Sequence, residues 1–263
     1  MTFNINFEFK SNFFLYSGAN DGKLILGSTF KPSAGECGNM ECNNYALHTA
    51  ISDDTKEIYS RRKRLAKQLG FLDLITLKQV HSDKIFVADS RNIEDFVQNP
   101  MVEGDGIISN VEGYLFGVLT ADCVPLLVFP LSEGVSFVGA VHAGWRGVKS
   151  KIHIKAVNLI EKTYGADKKN IGVIIGPHIG KCCYEVGGEF CDTFKSQCFL
   201  CNEKYFLDLE SVVSDELEAF GIKGKNIFRC GLCSKCSVTP EFYSYRNGDY
   251  VNRNLNFIGI KRN

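Results

Sequence analysis

Residues 138–160 read VGAVHAGWRGVKSKIHIKAVNLI. The apolar run from Val138 to Val141 ends at His142, and Gly144-Trp145-Arg146-Gly147 makes a turn. Val148, Ile152, Ala156 and Leu159-Ile160 then fall near one helical face. A short apolar run that gives way to this spacing is a buried strand entering a helix. The pattern predicts one helix between Gly147 and Gly165.

The same alternation extends in both directions. KLILGSTF (23–30), LITLKQV (74–80), KIFVAD (84–89), LFGVLTA (115–121), PLLVFP (125–130), VSFVGAVHA (135–143) and NIGVIIGP (170–177) read as strands. Several are apolar enough to be buried on both faces. Further helices are predicted over TKEIYSRRKRLAKQLG (55–70) and LDLESVVSDELEAFG (207–221), each closing on a glycine that suits a C-cap. KPSAGECGNMECNN (31–44) reads as an exposed loop. Strands interleaved with helices predict an α/β (or α+β) fold, one domain over residues 1–263 with no composition shift to divide it.

Thirty basic and thirty acidic residues give zero formal net charge. That balance excludes the basic excess typical of nucleic-acid binders. No apolar stretch is long enough for a membrane span, and no basic-then-apolar leader opens the chain. A cytoplasmic location follows as the expectation, and the eleven cysteines are expected to stay free or hold metal rather than pair.

Chemistry concentrates at strand ends. His81 follows one apolar run and His142 ends another, while Asp122-Cys123 interrupts VLTADCVPLLVF. A carboxylate and a thiol between buried strands need bonded partners. Two histidines and a cysteine could supply three zinc ligands with a fourth position open, or be three satisfied polar residues. Arg146, beside the glycines of the turn, offers a forked cationic donor for phosphate or carboxylate, or lies exposed beside a helix cap. Trp145 is expected to brace the turn rather than touch the chemistry. Cys230, Cys233 and Cys236 have two-residue spacings, and Cys198 with Cys201 forms another such pair. A four-cysteine zinc site combining the two groups is conceivable, against a simpler reading as unpaired thiols. Arg246 and Arg253 lie among tyrosines in the same C-terminal segment.

Taken in order, LKQVHS, EGDGIIS, LTADCVPLLVF, GAVHAGWRG, IGPHIGKCCYEV and FYSYR resemble the successive motifs of the YfiH-like, or laccase-domain, family, also called polyphenol-oxidase or multicopper-oxidase-like. The resemblance runs from about Asn43 to Arg253. It implies one α/β domain of mixed β-sheets packed together and flanked by helices. It also implies a metal site of His81, Cys123 and His142, holding zinc, with copper as the alternative. The implied activity is zinc-dependent purine nucleoside phosphorolysis on adenosine, inosine and methylthioadenosine, with adenosine deamination as companion. Copper-dependent phenol oxidation and editing of peptidoglycan precursors are the family's other assignments. Purine nucleosides and phosphate are the implied partners, and homodimerisation is left open. Asn44 and Arg62 match an early family segment in altered form. Phosphate is expected on Arg146, with Arg62, Arg246 and Arg253 as further candidates. Asp122 is the candidate for orienting a ligand or handling a proton, and Gln79 for a substrate contact. A Cys123–His142 nucleophilic dyad and a non-catalytic scaffold are the competing classes.

Overall fold

The computed structural model describes residues 6–10, 13–17, 22–31, 55–99, 101–132 and 136–262. The N-terminal part contains β1 (Asn6–Phe9), β2 (Phe13–Ser17), β3 (Leu24–Thr29), α1 (Thr55–Gln68), β4 (Asp73–Thr76), β5 (Ile85–Ala88) and α2 (Ile93–Gln98). The middle contains β6 (Gly106–Ser109), β7 (Tyr114–Thr120), β8 (Val124–Pro130), β9 (Val138–Ala143), α3 (Trp145–Lys149), α4 (Ile152–Tyr164) and β10 (Ile171–Ile175). Last come β11 (Glu185–Val186), α5 (Phe190–Phe194), β12 (Cys198–Cys201), β13 (Lys204–Leu207), α6 (Leu209–Phe220), β14 (Ile227–Arg229) and β15 (Asn254–Ile260).

Two six-stranded sheets carry the fold, in the orders β1-β2-β3-β15-β7-β4 and β14-β10-β8-β9-β6-β5, with a small sheet β11-β13-β12 beside them. Both large sheets are mixed: β4–β7, β5–β6 and β10–β14 are parallel and the remaining pairs antiparallel. The alternation along β8 shows how they stack. Leu127 and Phe129 join Phe116, Val118 and Ile258 in a core between the sheets. Val124, Leu126 and Val128 turn the other way, against Ile152, Ala156 and Ile160 of α4 and Val213 and Leu217 of α6. Outside the first sheet, Leu65 and Ala66 of α1 cover Leu74, Leu115, Leu255 and Phe257. The result is a helix–sheet–sheet–helix stack within a single α/β domain. With both faces of its central strands covered, the apolar runs read from the sequence have their cause.

The helix predicted from Gly147 to Gly165 is divided. Lys151 adopts a left-handed conformation (φ +62°), so the chain turns between α3 and α4 and both Val148 and Ile152 reach the core. A Cβ on Gly147 would stand 3.2 Å from Ile152 Cγ2, which shows how tightly the two short helices meet. No helix among the described residues is long and apolar enough to cross a membrane. The predicted loop at 31–44 lies outside the described residues beyond Lys31, as does Asn44.

Candidate metal centre and its cavity

His142 is the penultimate residue of β9, Cys123 precedes β8, and His81 lies in the turn between β4 and β5. Strand pairing brings them together: Pro125 of β8 is opposite His142, and Val141 is opposite Gly106 of β6. One donor atom from each of the three residues lies within 4.8 Å of the others, with Cys123 Sγ 3.8 Å from His81 Nε2.

A residue not singled out from the sequence organises this set. Asp105, fully buried, lies 2.8 Å from His142 Nδ1 through Oδ1, and its backbone carbonyl accepts from His142 N–H at 2.7 Å. The same carboxylate accepts the backbone N–H groups of His81 (3.0 Å) and Ser82 (2.7 Å) and the Ser82 hydroxyl (2.6 Å). Those bonds hold His81 in a left-handed conformation (φ +58°), which a non-glycine residue rarely adopts and which costs about 1–3 kcal/mol. Asp122, beside Cys123, is left-handed too (φ +93°). The available signal for Asp105 was its position in EGDGIIS, a carboxylate between glycines at the entrance to an apolar strand.

Electrostatics make Cys123 and His142 a thiolate–imidazolium pair, and a metal ion bound there would displace the imidazolium proton that faces the thiol. Burial would raise the Cys123 thiol, but the charge of His142 and hydrogen bonds from His142 and His81 outweigh it and bring it down to about 6. Burial would lower His142; the Cys123 charge and the Asp105 bond reverse this and raise it to about 9. Because Asp105 takes Nδ1, Nε2 of His142 is left to face the thiol. Gly144 completes the fit: a Cβ there would stand 3.0 Å from His81 Cδ2 and 3.1 Å from Cys123 Sγ. Two imidazoles and a low-pKa thiol, close enough to share one ion, suit zinc or copper.

The trio opens onto a cavity of about 520 Å³, within the range of small-molecule sites. Leu77, Leu119, Ile179 and Leu209 supply apolar wall, and Arg146, Arg246 and Arg253 line the same space. Trp145, expected only to brace the turn, does both: it packs edge-on against Phe190 at 5.0 Å and lines the cavity, with the Arg146 guanidinium 4.4 Å from its ring centre. Burial pushes the Tyr184 phenol up to about 12, so this wall residue is a neutral hydrogen-bond donor.

The other candidates divide. Arg246 lines the cavity but donates from Nη1 to the Glu185 carbonyl at 2.8 Å, and Arg253 donates from Nη1 to the Asn252 carbonyl at 2.8 Å. Gln79 lines the cavity as well, yet both ends of its amide bond the Leu119 backbone, at 2.7 and 2.8 Å. The carboxylate that orients a metal-site histidine is Asp105 rather than Asp122. Asp122 accepts Ser234 and Ser244 hydroxyls (2.7 and 2.6 Å) and the Arg246 N–H (2.8 Å), tying the C-terminal segment to the site. Arg62 is not among the residues lining the cavity: its side chain is buried beneath α1 and donates to Thr76 Oγ1.

The cysteines depart from expectation. Cys191 and Cys198 form a disulfide, because the connection from α5 to β12 brings their Cα atoms to 4.9 Å, a span a disulfide fits. The expectation that the thiols remain unpaired is corrected there, and Cys198 is unavailable for a cluster with Cys201. Cys233 and Cys236 meet different partners, Cys182 and Cys183.

Residues 30–261 match the family model described as multi-copper polyphenol oxidoreductase laccase. The chain is 34% identical over 228 residues to adenosine deaminase RL5 from an unknown prokaryotic organism, covering 81% of this chain and 84% of the relative. It is 36% identical over 200 residues to a purine nucleoside phosphorylase of Aquifex aeolicus, covering 76% and 86% respectively. The crystal structure of the Bacillus licheniformis hypothetical protein YfiH superimposes with a TM-score of 0.83 at 25% identity, covering 97% of this chain and 99% of that one.

Proposed function

The chain belongs to the multi-copper polyphenol oxidoreductase laccase family, and from that premise we propose that it is a metal-dependent enzyme of purine nucleosides, carrying out phosphorolysis with adenosine deamination as a second reaction. One observation carries the reading: the His81–Cys123–His142 set opens onto a cavity lined by three arginines. Apolar walls suit a purine and cations suit phosphate. The names of the related proteins point to the same substrates.

Zinc is the ion we assign to the three ligands, where it would supply a Lewis acid beside the reacting atoms. The chain's own groups do the remaining work. Arg146, its guanidinium held against Trp145, is placed to bind phosphate, with Arg253 as a second cation. In phosphorolysis a phosphate oxygen bonds to C1′ of the ribose as the C1′–N9 bond breaks. The base leaves with that electron pair and takes up a proton, giving ribose 1-phosphate and free purine. Tyr184, neutral and on the cavity wall, is our candidate to donate a hydrogen bond to substrate. In deamination water adds at C6 of adenine and ammonia departs. Asp105 holds the proton on His142 Nδ1 throughout. Asp122 acts by positioning Arg246 through its backbone.

The test is direct. The zinc-replete protein is incubated with adenosine and phosphate, and ribose 1-phosphate, adenine and inosine are followed. The expected result is phosphate-dependent adenine with some inosine; none of the three products would end the proposal.

Copper-dependent phenol oxidation is the second reading. It is favoured by the description of the matching family model and by a donor set, two histidines and one cysteine, that copper shares. Against it stand five histidines in the whole chain, few for several copper centres, and a cavity lining with no methionine among the described residues. Oxygen uptake with a phenol, by copper-loaded protein and not by zinc-loaded protein, would favour it.

A further inference from the structure

Four other thiols converge outside the His81–Cys123–His142 set. Cys182 and Cys183 follow the turn after β10, and Cys233 and Cys236 lie in the segment after β14. Their sulfurs all lie within 4.8 Å of one another, and those of Cys182 and Cys236 are 3.6 Å apart. A tetrahedral zinc with Zn–S near 2.3 Å sets the sulfurs about 3.8 Å apart. The cluster therefore needs only small movements to enclose an ion. None of the four is in a disulfide. The Gly180 backbone N–H points at Cys233 Sγ at 3.3 Å, the kind of outer contact that steadies a metal thiolate.

We propose that Cys182, Cys183, Cys233 and Cys236 bind a second zinc ion in a closed, all-sulfur structural site. With four protein sulfurs filling the tetrahedron, no position remains for substrate or water, so the role is to cross-link. Binding releases four thiol protons to solvent and transfers no electrons. The segments it joins both reach the cavity. Ile179 and Tyr184, on either side of the first cysteine pair, line it. Ser234, between the second pair, bonds the Asp122 carboxylate next to the ligand Cys123. The backbones are already stitched: Ser234 N–H donates to the His178 carbonyl at 2.8 Å. The zinc would lock this joint and so fix the wall that carries Tyr184. The proposal does not depend on the nucleoside reading, since it requires metal and not turnover.

The test uses the full chain purified under reducing conditions without chelator. The double variant His81→Ala/His142→Ala removes two of the three ligands of the first site. It is expected to retain one zinc per chain by elemental analysis, with zinc-edge X-ray absorption showing sulfur ligands only, at about 2.3 Å. Adding Cys182→Ser/Cys236→Ser should abolish that zinc and lower the melting temperature. If these variants fail to fold, cobalt(II) loaded into the unsubstituted chain gives a second readout. Two cobalt ions per chain, one with the thiolate charge-transfer bands of a four-sulfur site, are expected. A folded, reduced double variant without zinc, bound zinc with nitrogen or oxygen ligands, iron in place of zinc, or a cobalt spectrum showing a single thiolate would each overturn the proposal.

Discussion

Asp105 Oδ1 lies 2.8 Å from His142 Nδ1, while the same carboxylate anchors the backbone of His81. One buried side chain thus orients the His142 imidazole and fixes the backbone of His81 in the candidate metal centre. Asp105→Asn keeps the shape but replaces one acceptor with a donor that faces backbone N–H groups. Zinc affinity at this site should fall by about 10- to 100-fold, the usual effect of losing such an outer contact. A chromophoric chelator competition measures it, with circular dichroism confirming the fold. Unchanged affinity would show that His142 is oriented without Asp105.

Gly144 has φ −66° and ψ 165°, a conformation alanine accepts readily. Only space excludes a side chain, because the added Cβ would press on His81 Cδ2 and Cys123 Sγ together. Gly144→Ala should therefore spread two ligands by a few tenths of an ångström. We expect weaker zinc binding and lower turnover at a stability cost of about 1–3 kcal/mol. Equal zinc affinity in variant and parent would mean the ligands relax freely.

The stack of layers was legible because burial on both faces leaves continuous apolar runs such as PLLVFP. The last strand, NLNFIGI, was harder to read, because buried Asn254 and Asn256 interrupt its apolar pattern. Those asparagines are satisfied by partners remote in the chain: Asn256 Nδ2 donates to Thr120 Oγ1 at 3.0 Å and its Oδ1 accepts from Ser28. The three residues of the candidate metal centre were legible as polar groups at strand ends. Their convergence came only through the resemblance, since their separations in the chain carry no spacing signal. Asp105 and the Cys182–Cys183 partnership with Cys233 and Cys236 are products of strand pairing and loop crossing. EGDGIIS marks Asp105 only as a carboxylate between glycines, and no local pattern gives its partners or those of the cysteines.

Acid should weaken one surface joint in a defined window. Glu216 of α6 bonds His153 Nε2 at 2.7 Å and also the Lys151 ammonium, joining α6 to α4. Burial would raise its carboxyl, but the His153 and Lys151 hydrogen bonds prevail and hold it below the usual range. A folded-state pKa below the unfolded one, roughly 4.3, makes the contribution complete above that value and lost as pH falls through the folded one. Glu216→Gln should lower the melting temperature at pH 6, by the equivalent of about 1 kcal/mol or less. The gap between parent and variant should close as the pH falls below 4. A gap constant over that range would remove the charge of Glu216 from the account.

Under the proposed reaction, Arg146 and Arg253 should make separable contributions to phosphate binding. Arg146 is braced on Trp145 and reaches the cavity from the helix that follows the His142 strand. Arg253 is more enclosed, and burial lowers its pKa. A charge-assisted hydrogen bond to an anion is worth about 1.5–3 kcal/mol, so Arg146→Ala should raise the KM for phosphate at least about tenfold. Zinc content should not change. Arg146→Lys should restore little, because an ammonium provides neither the fork nor the flat face that stacks on Trp145. Arg253→Ala should act in the same direction and also loosen the turn, since its guanidinium bonds the Asp249 and Asn252 carbonyls. Steady-state kinetics with phosphate varied at saturating adenosine separate the two. Loss of kcat at constant phosphate KM in Arg146→Ala would place the anion elsewhere in the cavity.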